Sequence, residues 1–154
     1  MKYLIFRLII PLTIISFALF TKWWYALPID APDTMFTGFP WPYTCPGWHT
    51  SGSKQIFILE FIADFFIYFI FWIILIFLTN RYIKIKLFKF IPISLWVVSI
   101  VFISFGLLFY TDKNNIFYFK RPFEIEVLDS GFKFTLQNME RPDYNDYQIE
   151  VGAK

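Results

Sequence analysis

Three long apolar stretches, residues 3–20, 56–78 and 90–110, limit what this chain can fold into more than any other feature. A helix needs about 20 mostly apolar residues to cross a bilayer core. Each stretch meets or approaches that length, so the sequence predicts a membrane α-helical protein with three spans. Composition points the same way. Of 154 residues, 57% are hydrophobic and 17% are charged. An ordinary soluble domain is charged at about a quarter of its positions, and the deficit here is concentrated in the three stretches.

The flanking charges predict an orientation. Arg81, Lys84, Lys86 and Lys89 lie between the second and third stretches with no acid among them. Lys and Arg close to a span favour the cytoplasm. This places that link and the N-terminus, with Lys2 and Arg7, inside. The 21–54 loop and the 111–154 tail then lie outside, and the expected location is the cell (inner) membrane, multi-pass. A rival reading takes the first stretch as a leader, with Ser16-Phe17-Ala18 as a small-x-small cleavage site. Against it, Lys22-Trp23-Trp24-Tyr25 continues as an interfacial anchor.

The 21–54 loop holds five of the nine prolines and four of the six tryptophans. Proline fixes φ and removes a donor, so regular helix is not expected there. The loop reads as a stiff, extended lid on the outer face, with Trp23, Trp24, Tyr25, Trp41, Tyr43 and Trp48 as interfacial aromatics. A groove wall for a lipid or a partner is the alternative. Cys45 and His49 sit in Cys-Pro-Gly-Trp-His. Both residue types bind zinc or copper, with Asp30, Asp33 or Glu60 as further candidate ligands. The plainer reading is a buried or interfacial thiol and a solvated imidazole. A single cysteine excludes an internal disulfide.

Glu60, Asp64 and Tyr68 recur at i, i+4 and i+8, so a helix carries them on one face. Ionisable groups within a span normally face a bundle interior or a wet cavity. Three roles compete: a proton or cation site, structural glue, or docking to a partner. The glue reading pairs Asp64 with Arg7 of the first stretch, whose alternative is snorkelling to the inner headgroups.

The tail alternates apolar and polar residues twice, across Phe123–Val127 and Phe132–Leu136, around Asp129-Ser130-Gly131. Alternation is the period of a half-buried strand, and Ser-Gly marks a turn. The spacing predicts a β-hairpin that opposes Glu126 to Lys133. Residues 116–120 and 147–151 are candidates for further strands.

The run Gly38-Phe39-Pro40-x-Pro42-Tyr43, followed by a helix with Asp64-Phe65-Phe66-x-Tyr68, resembles small uncharacterised bacterial multi-pass membrane proteins with a Gly-Phe-Pro-x-Pro outer loop. The resemblance covers about a third of the chain. It implies a bacterial inner-membrane origin and no particular activity.

The chain lacks Gly-x-Ser-x-Gly, His-Glu-x-x-His and Cys-x-x-Cys, and it has one histidine. No enzyme activity and no cofactor is therefore expected. The net charge of +2 gives no reason to expect nucleic acid as a partner. The function expected is a non-enzymatic accessory or scaffold subunit. Its partners would be membrane lipid and a membrane protein or a second copy, met through the helices and the outer tail. The alternative is a small transport or proton-coupled component with Asp64 and Glu60 as an oligomeric ion site.

Overall fold

The structure, a computed structural model, describes residues 2–29, 31–83, 88–135, 137 and 142. The chain opens as helix: α1 (Lys2–Leu4), a π-helical turn (Ile5–Ile9) and α2 (Ile10–Leu19). The π turn sits where Pro11 enters the helix. A proline ring clashes with the carbonyl four residues back and offers no N–H in return, and a widened turn relieves both problems. The Ile10 N–H then bonds to the Ile5 carbonyl rather than to that of Phe6. The Phe6 carbonyl instead accepts the Trp96 indole N–H at 2.9 Å, and the Pro11 carbonyl accepts the Ser99 hydroxyl at 3.2 Å. Both donors come from α4 (Phe90–Tyr110), so the proline defect is also where α4 docks.

α2 runs straight into strand β1 (Phe20–Pro28), with Phe20 already extended. The last carbonyls of a helix have no partner within it. Here the Leu19 carbonyl accepts the Thr135 N–H at 2.8 Å, and the Phe20 carbonyl accepts the Tyr68 hydroxyl at 2.8 Å. The helix-to-strand handover is therefore pinned from two sides.

β1 lies within a six-stranded sheet with β2 (Thr34–Thr37), β3 (Thr44–Pro46), β4 (Lys54–Phe57), β5 (Ile116–Tyr118) and β6 (Ile125–Phe134). The order is β5-β4-β3-β2-β1-β6. All neighbours are antiparallel except β4 and β5. A parallel pair needs a long crossover. α3 (Ile58–Tyr82) and α4 supply it, since both lie between β4 and β5 in the chain.

Two apolar clusters result. Leu4, Leu8, Ile9 and Ile76 pack among the helices. Ala26, Phe36, Cys45 and Phe57 pack on one face of the sheet, with Phe123 and Ile125 against them. Phe17 lies between the clusters and meets the rings of Tyr43, Phe61, Phe65 and Tyr68 at 5.2–5.6 Å. Contacts of this kind add stability beyond area burial.

Several expectations are corrected by this arrangement. The fold is mixed α/β, with helices interleaved into one sheet. It is not a three-span bundle carrying an outer loop and a small C-terminal hairpin. Residues 21–54 hold three strands, β1 to β3, and lead into β4, rather than forming a lid. The first apolar stretch is a π-interrupted helix that ends inside the sheet. Two helices, α3 and α4, are long and apolar enough to cross a membrane by length and composition. Many of their outward side chains, Phe66, Phe71, Val101 and Leu108 among them, are exposed on this chain. A multi-pass inner-membrane location, with a cytoplasmic N-terminus and an external tail, was deduced from three independent spans and a detached tail. The chain has neither, so that topology is withdrawn. Lys84 and Lys86, two of the charges behind it, lie outside the described residues, as do Asp30, Leu136 and residues 147–151.

The hairpin is also corrected. β6 is one strand across Asp129-Ser130-Gly131, paired with β1 along its whole length. Tyr25 opposes Asp129 while Ala26 opposes Val127, so Leu128 is an extra residue at a bulge. Gly131 is required at its place, because a Cβ there would lie 2.8 Å from the Trp23 indole nitrogen.

Tyr68→Phe removes the hydroxyl that holds the Phe20 carbonyl. An unsatisfied carbonyl in such a place costs about 1–3 kcal/mol. Thermal unfolding of this variant is expected to show a midpoint lowered by several degrees. An unchanged midpoint would show that the handover does not depend on this bond.

Candidate functional site

The acidic stripe does occupy one face of α3, and the structure gives each member a backbone partner. Glu60 accepts the Arg121 N–H at 3.3 Å, and Asp64 accepts the Trp41 N–H at 3.0 Å. With Tyr68 on Phe20, three side chains one turn apart hold three separate segments of the sheet end. Asp64 is fully buried, and its second oxygen has no partner; the second oxygen of Glu60 is likewise unmatched.

Arg7 is not opposite Asp64. Its guanidinium lies 3.7 Å from the Tyr3 ring centroid and donates to the Tyr3 hydroxyl. The expected Arg7–Asp64 pair is therefore absent. Among the described residues no group of three His, Cys, Asp or Glu side chains converges. The ion-site alternative for Glu60 and Asp64 has no geometry behind it and is set aside.

Most of the aromatic residues expected at a membrane interface are structural parts of the sheet. Trp23, Tyr25 and Tyr43 are buried. The Trp24 indole donates to the Gly38 carbonyl at 2.8 Å and carries the Lys22 ammonium 3.6 Å from its ring centroid. The Tyr25 hydroxyl donates to the Asp33 carboxylate at 2.5 Å. Burial, followed by the neighbouring Tyr110, pushes the Tyr43 hydroxyl well above the ordinary tyrosine range. Trp41 and Trp48 are exposed, at 50% and 37%.

Cys45 and His49 enter different surroundings. Side chains alternate along a strand, and Cys45 joins Ala26, Phe36 and Phe57 in the apolar cluster. Burial pushes its thiol up to about 12, against a smaller opposing pull from Arg121. His49 is exposed in the connection between β3 and β4. Among the described residues neither Cys45 nor His49 belongs to a group of three or more His, Cys, Asp or Glu side chains that could hold a metal ion.

That connection frames a cavity which the sequence reading missed. It measures about 630 Å³. Met35 and Thr37 of β2, Thr44 of β3, Lys133 of β6 and the run from Cys45 to Lys54 line it. Met35, Thr37 and Thr44 share a face by alternation and register, and Lys133 joins that face through its pairing with Thr21. It is the face opposite the Phe36 cluster. The rim is a stapled turn. The Gly47 N–H bonds to the Ser53 carbonyl at 2.8 Å, and both the Ser53 N–H and its hydroxyl reach the Thr50 carbonyl, at 3.2 and 2.8 Å. Gly47 is needed there, because a Cβ would lie 2.0 Å from the Ser53 hydroxyl oxygen.

The cavity lining is polar without being acidic. Among the described residues it contains Thr37, Thr44, Thr50, Ser51, Ser53, His49, Lys54 and Lys133, and no carboxylate. Burial lowers the ammonium pKa of both lysines. The clue in the sequence was the run Gly47-Trp-His-Thr-Ser-Gly-Ser53, but nothing in its spacing indicated that β2 and β6 would lie beside it.

No family model, no curated protein and no solved structure matches this chain.

The Cys45 environment gives a direct test. A thiol is reactive as its thiolate, so iodoacetamide at pH 8 is expected to label the folded chain far more slowly than the denatured chain. The linkage sign follows. The folded thiol stays protonated where the unfolded one ionises, so this group supports the fold below the ordinary thiol range. That support is lost as pH rises toward 12. Cys45→Ala removes this part of the pH dependence, as read from unfolding midpoints across the alkaline range. Equal labelling rates in folded and denatured chain would contradict the buried placement.

Proposed function

We propose that this chain is a non-catalytic binding protein whose site is the cavity between the sheet and the 46–53 turn. One observation carries the reading: a cavity of about 630 Å³, lined by hydroxyls and cations and rimmed by a turn fixed through its own hydrogen bonds. Small-molecule sites usually occupy about 300–1,000 Å³ and are largely pre-formed. This one is more polar than most, which favours a polar ligand.

The absence of an activated nucleophile among the described lining residues supports a binding role over catalysis. A hydroxyl nucleophile needs an adjacent base, itself oriented by a third group. Here the Ser53 hydroxyl is committed to the Thr50 carbonyl, and no carboxylate among the lining residues orients His49. The Cys45 thiol is held in its protonated form.

This reading replaces the accessory or scaffold role. That role required a free outer tail and helices meeting membrane lipid, a membrane-protein subunit or a second copy. The tail strand β6 is instead bonded to β1 of the same chain.

A ligand that binds only the folded state stabilises it by about 2.7 kcal/mol at 100 times its dissociation constant. A thermal-shift panel of small polar molecules is therefore expected to yield compounds that raise the unfolding midpoint of the wild type. Thr37→Trp, which fills the cavity floor, and Ser51→Trp, at its exposed rim, are each expected to remove that rise. Compounds that stabilise both variants as fully as the wild type would place the binding elsewhere.

A further inference from the structure

Among the described residues, the lining of this cavity contains two lysines and no acid. Among the described residues, neither lysine has an ion-pair partner. The Lys54 ammonium lies 5.4 and 5.5 Å from the ring centroids of Phe109 and Tyr110, neither of which lines the cavity, so Lys133 is the cation left to it. Lys133 is half-buried in β6, opposite Thr21. Partly burying a cation without a counter-charge is unfavourable. The lowered ammonium pKa of both residues expresses that cost. A bound anion would repay it.

The other polar groups suit the same ligand. Serine and threonine hydroxyls donate as well as accept. Thr37, Thr50 and Ser51 bring three of them to the lining, beside the His49 imidazole. Lysine binds phosphate as a point charge, and small hydroxyl donors complete the shell of its oxygens. A carboxylate in the lining would oppose such a ligand, and none is present among the described residues.

We propose that the ligand of this cavity is a small molecule bearing a phosphate group, held by Lys133 with the hydroxyls of Thr37, Thr50 and Ser51. This rests on the reading of the cavity as a binding site. It adds the class of ligand, which that reading leaves open.

Titration calorimetry of the full chain with inorganic phosphate, a phosphomonoester such as glycerol phosphate, and glycerol separates the cases. Saturable binding of phosphate or its ester is expected, weakened by added sodium chloride. Lys133→Gln is expected to weaken it by about tenfold or more, the scale of a lost charge-assisted bond. Lys133→Arg, which keeps the charge, is expected to restore most of it. Affinity should also fall as pH rises toward the lowered lysine pKa, because the neutral amine no longer attracts the anion. Tighter binding of the ester than of free phosphate identifies an organic phosphate as the ligand; the reverse identifies the free ion. Either result supports the proposal.

Binding of glycerol with no binding of either phosphate would overturn the ligand class and leave the cavity reading standing. Failure of all three probes, together with an inert thermal-shift panel, would overturn both. Equal phosphate affinity in wild type and Lys133→Gln would overturn the assignment of the anion to this cavity.

Discussion

Helix and strand meet without a loop at Leu19 and Phe20, and the rest of the molecule is arranged around that handover. α2 is flanked by α3 and α4, and β1 is flanked by β2 and β6. One continuous segment, residues 10–28, is thus central to both halves. Its weak point is chemical. A helix that ends against protein leaves carbonyls that need donors. Thr135 and Tyr68 provide them, from β6's end and from α3. Phe17, one turn earlier, fills the space between the two apolar clusters with a ring that touches four others.

The polar stripe on α3 is best understood against this geometry. A long apolar helix cannot hold irregular backbone by side-chain packing alone, because loop N–H groups need acceptors. Glu60 and Asp64 supply acceptors, and Tyr68 supplies a donor. The helical period was legible in the sequence, and so was the inference that these groups face inward. Their partners were not. Arg7 matched Asp64 by charge and by depth along adjacent helices, but the true partner is the backbone of Trp41, and a main-chain N–H leaves no mark in a sequence.

The tail shows a second limit of the same kind. The apolar positions change parity between Val127 and Phe132, and a turn at Ser130-Gly131 explains that change. So does a single extra residue. Leu128 is that residue, and its bulge keeps Ile125, Val127, Phe132 and Phe134 on one face of an unbroken strand. Both solutions put the same residues on one face, so period alone does not separate them. What decides between them is the availability of β1 as a partner. That partner was hidden, because Trp23-Trp24-Tyr25 matches an interfacial anchor as well as it matches a strand. The prolines of 28–46 masked β2 and β3 in turn, although Pro28 and Pro46 stand at strand ends and the others lie in the connections. The cavity depends on all of these pairings at once, so it had no local signature beyond its own rim.

The central claim is that β6 is one strand laid along β1, since this forms the edge of the sheet beside β1 and brings Lys133 to the cavity. Paired spin labels at Glu126→Cys and Lys133→Cys, in a Cys45→Ala background, measure it most directly. Seven residues along one strand, at about 3.3 Å per residue, separate the two backbone positions by roughly 20 Å or more, even with the bulge. Dipolar spectroscopy is expected to return a separation on that scale. A near-contact separation, with Cβ atoms about 5 Å apart as in directly opposed hairpin residues, would contradict the account.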